Sequence, residues 1–236
     1  MFYICKIKWY DKDNNKRRSY IMTLASYLDH TILAAAATKA DVDRVTAEAK
    51  EHGFATVMVN PYWVSRVAKA LEGTNVKPAC VIGFPLGANT TAIKVAEAKQ
   101  AIEDGVEELD MVINVGELKG KNYDAVQNDI NAVVEVSHAS NKLVKVIIET
   151  ALLTDEEIAK ASELVMNSGA EFVKTSTGFS TSGAKLEDVK LMKATVGDKT
   201  EVKASGGIHN AEEANAFIEA GATRLGTSAS IKIIGK

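Results

Sequence analysis

Two lysines have the type and context for covalent chemistry: Lys174 in EFVKTSTGF and Lys203 in EVKASGGI. Each closes a short apolar, strand-like run and opens into a loop of Gly, Ser and Thr. Burial disfavours an ammonium and lowers its pKa, and a second cation nearby lowers it further, so the amine becomes a nucleophile near neutral pH. A single lysine at a strand end can instead reach out to solvent. Two in matching Gly/Ser/Thr surroundings point to a site.

The elements that must position them follow a regular beat from Met22 onward. Strand-like runs occur at SYLDHT, ATVMVN, KPACVIG, ELDMVIN, LVKVIIE, EFVKTS, EVKASG and RLGTS, separated by helix-length, Ala-rich amphipathic stretches. Thr38 with Asp41, Thr154 with Glu157 and Asn210 with Glu213 have the spacing of N-caps followed by a carboxylate, and Gly53, Gly105, Gly169 and Gly221 stand where helices should stop. Eight βα repeats predict a single closed (β/α)8 TIM barrel over residues 22–236, with a doubly wound open sheet as the alternative. No GxGxxG follows the first strand, which weakens the dinucleotide-binding form of that alternative.

In a barrel, chemistry lies at the C-terminal strand ends. Asp29, His30, Asn60, Asp110, Asn114, Lys145, Glu149, Lys174 and Lys203 are the polar residues there. Alternation puts Asp110 and Asn114 on one strand face, and Phe172, Lys174 and Ser176 on another. If those faces line the interior, a carboxylate and two amines converge; Asp110 is otherwise a buried ion-pair partner for a lysine. Gly206-Gly207 and Gly226-Thr227-Ser228 each precede a helix start and offer backbone N–H groups to a phosphate, although glycines there also simply permit tight turns.

Other chemistries find less support. The chain has 236 residues with 28 Lys and Arg against 31 Asp and Glu, dispersed without a basic face for nucleic acid or membrane. A small-molecule partner is expected. Cys5 and Cys80 are too few for a disulfide framework, and no apolar run reaches membrane-spanning length, so a reduced cytoplasmic protein is expected. His30, His52, His138 and His209 are scattered without metal-ligand spacing; His30 reads as a packed, hydrogen-bonded residue or a site residue, with packing favoured. Cys80, in a strand-like run, reads as a small buried hydrophobe. On the residues alone, a metal-free phosphosugar isomerase and a non-catalytic phospholigand-binding barrel remain open. Residues 1–21 lack periodicity and a secretory core, and are expected to be a disordered extension; Lys16-Arg17-Arg18-Ser19, encodable by a purine-rich ribosome-binding stretch upstream of Met22, suggests a translated leader.

The motifs LDHTIL, VNP, VIGFPLG, ELDMVINVG, FVKTSTGF, VKASGGI and RLGTSAS, in this order from Met22 to Ser230, resemble the deoxyribose-phosphate aldolase family. The resemblance implies a class I aldolase acting on a phosphorylated sugar without metal or organic cofactor. It implies Lys174 as the Schiff-base lysine, Lys203 as its pKa-lowering neighbour, and Asp110 as a proton-relay carboxylate acting with water. Asp29 would lie near the second lysine, and Thr175, Gly206, Gly207, Gly226 and Ser228 would bind substrate and phosphate. Barrels of this kind suggest a homodimer or higher homo-oligomer. Three departures stand out: Phe179 replaces a lysine that some members use for phosphate, Met58 replaces a cysteine before VNP, and the chain ends at SIKIIGK without a tyrosine tail. Backbone and hydroxyl groups are therefore expected to do more of the phosphate binding.

Overall fold

The computed structural model describes residues 5–11 and 16–236, with side chains from residue 23 onward. Strands β1 (Cys5–Asp11) and β2 (Lys16–Met22) pair antiparallel as a separate two-stranded sheet. The expected extension over residues 1–21 thus falls partly outside the described residues.

The rest is built on strands β3 (Leu28–Ile32), β4 (Thr56–Val59), β5 (Lys77–Ile82), β6 (Glu108–Val112), β7 (Leu143–Ile147), β8 (Phe172–Lys174), β9 (Glu201–Ser205) and β10 (Arg224–Thr227). These pair in parallel and in chain order, and β10 returns to β3 to close a barrel. Each of the eight expected strands is present, and the open-sheet alternative is excluded by the closure. Around it lie helices α1 (Lys39–His52), α2 (Val64–Leu71), α3 (Thr91–Glu103), α4 (Val115–Lys119), α5 (Tyr123–His138), α6 (Asp155–Ser168), α7 (Leu186–Val196), α8 (Ala211–Glu219) and α9 (Ser230–Ile233).

The helix signals act locally as their chemistry requires. Thr38 and Thr154 close capping boxes with Asp41 and Glu157, and the Asn210 side chain accepts from the Glu213 N–H. Each cap satisfies an otherwise orphaned donor, worth about 1 kcal/mol.

Alternation then divides each strand between two environments. Val57, Val59, Ile82, Leu109, Met111, Val144 and Val146 are fully buried in the main core between strands and helices. Each such side chain contributes roughly 1.5–3 kcal/mol of transfer free energy. On the opposite faces of β4 and β5, Met58, Ala79 and Val81 form a small apolar cluster of their own. The corresponding positions on β6–β10 and β3 carry charge instead, so the barrel interior is apolar on one side and ionic on the other.

Candidate active site

Strand register brings the ionic residues level. Asp110 pairs with Lys145 across β6 and β7, Lys174 with Lys203 across β8 and β9, and Lys203 with Arg224 across β9 and β10. Side chains from neighbouring strands that point inward at one level must meet near the axis.

They meet around Asp110. Its Oδ1 accepts from Lys145 Nζ at 2.9 Å, and its Oδ2 accepts from both Lys174 Nζ at 2.8 Å and Lys203 Nζ at 2.7 Å. Lys203 also donates to Asp29, and Lys145 to Glu108 at 2.6 Å. Arg224 closes the network, with one nitrogen 2.8 Å from Asp29 and 2.9 Å from Glu108, and its guanidinium lies 5.3 Å from the Phe172 ring centroid.

Four basic groups therefore share three carboxylates. If all were ionised the cluster would carry one uncompensated positive charge in a buried site, so one proton is weakly held. Lys174 is the basic group with the fewest carboxylates. Within the described network it contacts Asp110 alone, whereas Lys145, Lys203 and Arg224 each reach at least two. Burial, reinforced by the positive charges of Lys203 and Lys145 and only partly offset by Asp110, lowers the Lys174 pKa to about 8.

Asp110, Asp29 and Lys145 are pushed away from neutrality. Burial would raise the Asp110 carboxyl, but Lys145, Lys174 and Lys203 together hold it well below its ordinary range. Asp29 is held low in the same way by Lys203, Arg224 and Lys145 against its burial. Lys145 is penalised by burial, yet Asp110, Glu108 and Asp29 raise it above an ordinary lysine. The arrangement supplies one amine that can lose its proton near neutral pH, beside a carboxylate that stays ionised.

Lys174 opens onto a cavity of about 440 Å³ at the C-terminal end of the barrel. Gly206, Gly207, Gly226 and Ser228 line it, as do Thr31, Thr177, Phe179 and Ser205. Gly206 and Gly207 have φ of 83° and 78°, a region that favours glycine. At Gly226 a Cβ would lie 3.1 Å from Lys203 Cε, so glycine there makes room for the second lysine.

Thr175 is not among the lining residues. It is fully buried, donating to the Ser205 carbonyl at 3.3 Å and accepting from the Ser205 N–H at 3.1 Å, and so ties β8 to β9. Asp29 lies beneath the mouth, in contact with Lys203. His30 points the other way, its Nε2 2.8 Å from Glu48 on α1, and burial lowers its pKa. Cys80 is a free thiol in the main core, with burial raising its pKa.

Sequence reasoning left Lys145 without a role, and passed over Glu108, Arg224 and Thr177. A signal existed for two of them: Glu108 stands two residues before Asp110 and Arg224 two before Gly226, hence on the same strand faces. Among the described residues, no group of three or more His, Cys, Asp or Glu side chains is placed to hold a metal ion.

Comparison with known proteins agrees with this geometry. The model of the DeoC/LacD family aldolases matches residues 23–230. A deoxyribose-phosphate aldolase of Lactiplantibacillus plantarum is 66% identical over 215 residues, covering 91% of this chain and all of that protein. Another, from Streptococcus uberis, is 56% identical over 213 residues, covering 90% of this chain and 96% of its own. The solved deoxyribose phosphate aldolase of Aeropyrum pernix, described as a unique tetrameric structure, superposes with a TM-score of 0.84 at 33% identity over 89% of each chain. This chain belongs to the DeoC/LacD family and is an aldolase, a carbon–carbon lyase.

Proposed function

We propose that the enzyme reversibly cleaves 2-deoxy-D-ribose 5-phosphate to acetaldehyde and D-glyceraldehyde 3-phosphate through a Schiff base on Lys174, in deoxyribonucleoside catabolism. The observation that carries the reading is Lys174 itself, a buried amine with a pKa near 8 at the floor of the mouth. The names of the relatives support the substrate.

The steps follow from the groups present. The neutral Lys174 amine adds to the C1 aldehyde and water leaves, forming an iminium that acts as an electron sink. The C3 hydroxyl loses its proton, the C2–C3 bond breaks, and its electron pair passes into the C1–C2 enamine while C3 becomes the aldehyde of the three-carbon product. Protonation at C2 and hydrolysis of the iminium release acetaldehyde and return the amine. Asp110, held ionised beside Lys174, relays these protons with water, and Lys203 lowers the Lys174 pKa. Backbone N–H groups at Gly206, Gly207 and Gly226, with the Ser228 hydroxyl, take the phosphate. Thr175 supports this edge from beneath through Ser205.

We read the enzyme as cytoplasmic and as a homodimer or higher homo-oligomer, with residues 1–21 as an addition to a catalytic domain over residues 22–236. No helix among the described residues is long and apolar enough to cross a membrane. The deciding experiment is borohydride reduction in the presence of substrate, followed by peptide mapping. A reduced adduct on Lys174 is expected, and none on that residue would overturn the proposal.

A further inference from the structure

Glu149 follows β7 with φ 57°, a left-handed conformation that is uncommon for a residue with a Cβ. Its neighbours show why. The Ile148 N–H donates to the Lys174 carbonyl at 3.0 Å and the Thr150 N–H to the Thr175 carbonyl at 2.9 Å. Two residues on one side thus advance against one on the other, which makes Glu149 the extra residue of a bulge at the barrel rim. Bulges there re-aim a side chain.

The re-aimed carboxylate is buried and, among the described residues, accepts hydrogen bonds from Thr177, three positions after Lys174. The Thr177 hydroxyl donates to it, and the Thr177 N–H lies 3.2 Å from the same oxygen. The hydroxyl oxygen in turn accepts from the Phe179 N–H at 3.0 Å. Thr177 and Phe179 both line the mouth into which Lys174 opens. Strain of this kind persists where the surroundings over-determine it, often beside functional groups.

We infer that Glu149 is a positioning residue: through Thr177 it holds the 175–179 loop in the conformation that receives the phosphorylated part of the substrate. It does not contact the Lys174 amine, so it acts on substrate binding more than on imine formation. The inference rests on the aldolase reading of this mouth, and its test separates the two. Trapping of acetaldehyde on Lys174 by borohydride reports the chemistry alone. KM for 2-deoxyribose 5-phosphate reports the loop.

Glycine suits φ 57°, so Glu149→Gly removes the carboxylate without a backbone penalty. We expect Glu149→Gly to raise KM about tenfold, to change kcat less than about threefold, and to leave acetaldehyde trapping intact. Glu149→Gln, which keeps one acceptor oxygen, should raise KM by about threefold. Thr177→Val should reproduce most of the Glu149→Gly effect, and Glu149→Gln should add less in a Thr177→Val background than in the wild type, since the hydroxyl contact is then already gone and only the Thr177 N–H remains. A wild-type KM in Glu149→Gly, or a Glu149→Gln effect that is undiminished in Thr177→Val, overturns the inference. Should Glu149→Gly fail to fold, the Glu149→Gln and Thr177→Val cycle decides alone. Loss of trapping confined to the Glu149 variants also overturns it, whereas failure of the wild-type enzyme to trap acetaldehyde counts against the aldolase chemistry.

Discussion

Lys174 and Lys203 donate to the same oxygen, Asp110 Oδ2, at 2.8 and 2.7 Å. Sharing one acceptor makes the two amines compete for its charge, and Lys203 holds Asp29 as well. On the proposed mechanism, this asymmetry predicts different outcomes for the two amines. Lys174→Arg should abolish borohydride trapping, because a guanidinium stays protonated and cannot condense. Lys203→Leu should retain trapping on Lys174, detected by peptide mapping. An adduct on Lys203 would reverse the two roles.

The same competition sets a pH dependence. With Lys174 near 8, the neutral amine is scarce below that pH, so kcat/KM should fall about tenfold per unit as pH drops from 7 to 6 and level off above 8. Lys203 and Lys145 both lower the Lys174 pKa. Removing either cation therefore raises it, and the limb in Lys203→Leu should move to higher pH by about one unit. A profile that stays in place or moves to lower pH would show that Lys203 does not tune the amine.

Lys145 should matter first to stability. It binds Asp110 Oδ1 and Glu108, so Lys145→Met takes one charged donor from each of two buried carboxylates that keep their other cations, at a cost of about 1–3 kcal/mol. Urea unfolding measures this. Where the variant folds, trapping on Lys174 should persist, because Lys174 keeps its own contact with Asp110.

Phe179 lines the mouth and is more than half exposed where some relatives carry a lysine, according to the sequence resemblance. Phe179→Lys should raise the preference for phosphorylated over free deoxyribose by a few-fold, the modest effect of one added charge in a partly solvated position. Competition kinetics with the two sugars would show it. No change in preference would place position 179 away from the phosphate.

Inorganic phosphate should compete with substrate if Gly206, Gly207, Gly226 and Ser228 receive the phosphate. Activity should survive prolonged chelation, since the reaction proposed here draws its electron sink from Lys174. Loss on chelation that added metal restores would sink that mechanism.

The fold and the central pair of lysines were legible because they rest on local signals. Strand alternation, the Thr38, Thr154 and Asn210 caps and the stop glycines act within a few residues, so eight repeats could be counted in the chain. A lysine in an apolar run next to Gly and Ser is conspicuous for the same reason: burial without a use is costly. Contacts across the barrel left no such trace. Lys145, Glu108 and Arg224 gain their significance only when strand register brings β6, β7 and β10 to one level, and sequence spacing does not encode that stagger. Thr175 and Thr177 look alike in KTSTG, yet a bulge at Glu149 and a hydrogen bond to Ser205 send one to the mouth and the other into the wall. Sequence alone determined which residues could be reactive and on which elements they stand. Tertiary structure decided which amine loses its proton, because that depends on how many carboxylates each cation reaches across the closed barrel.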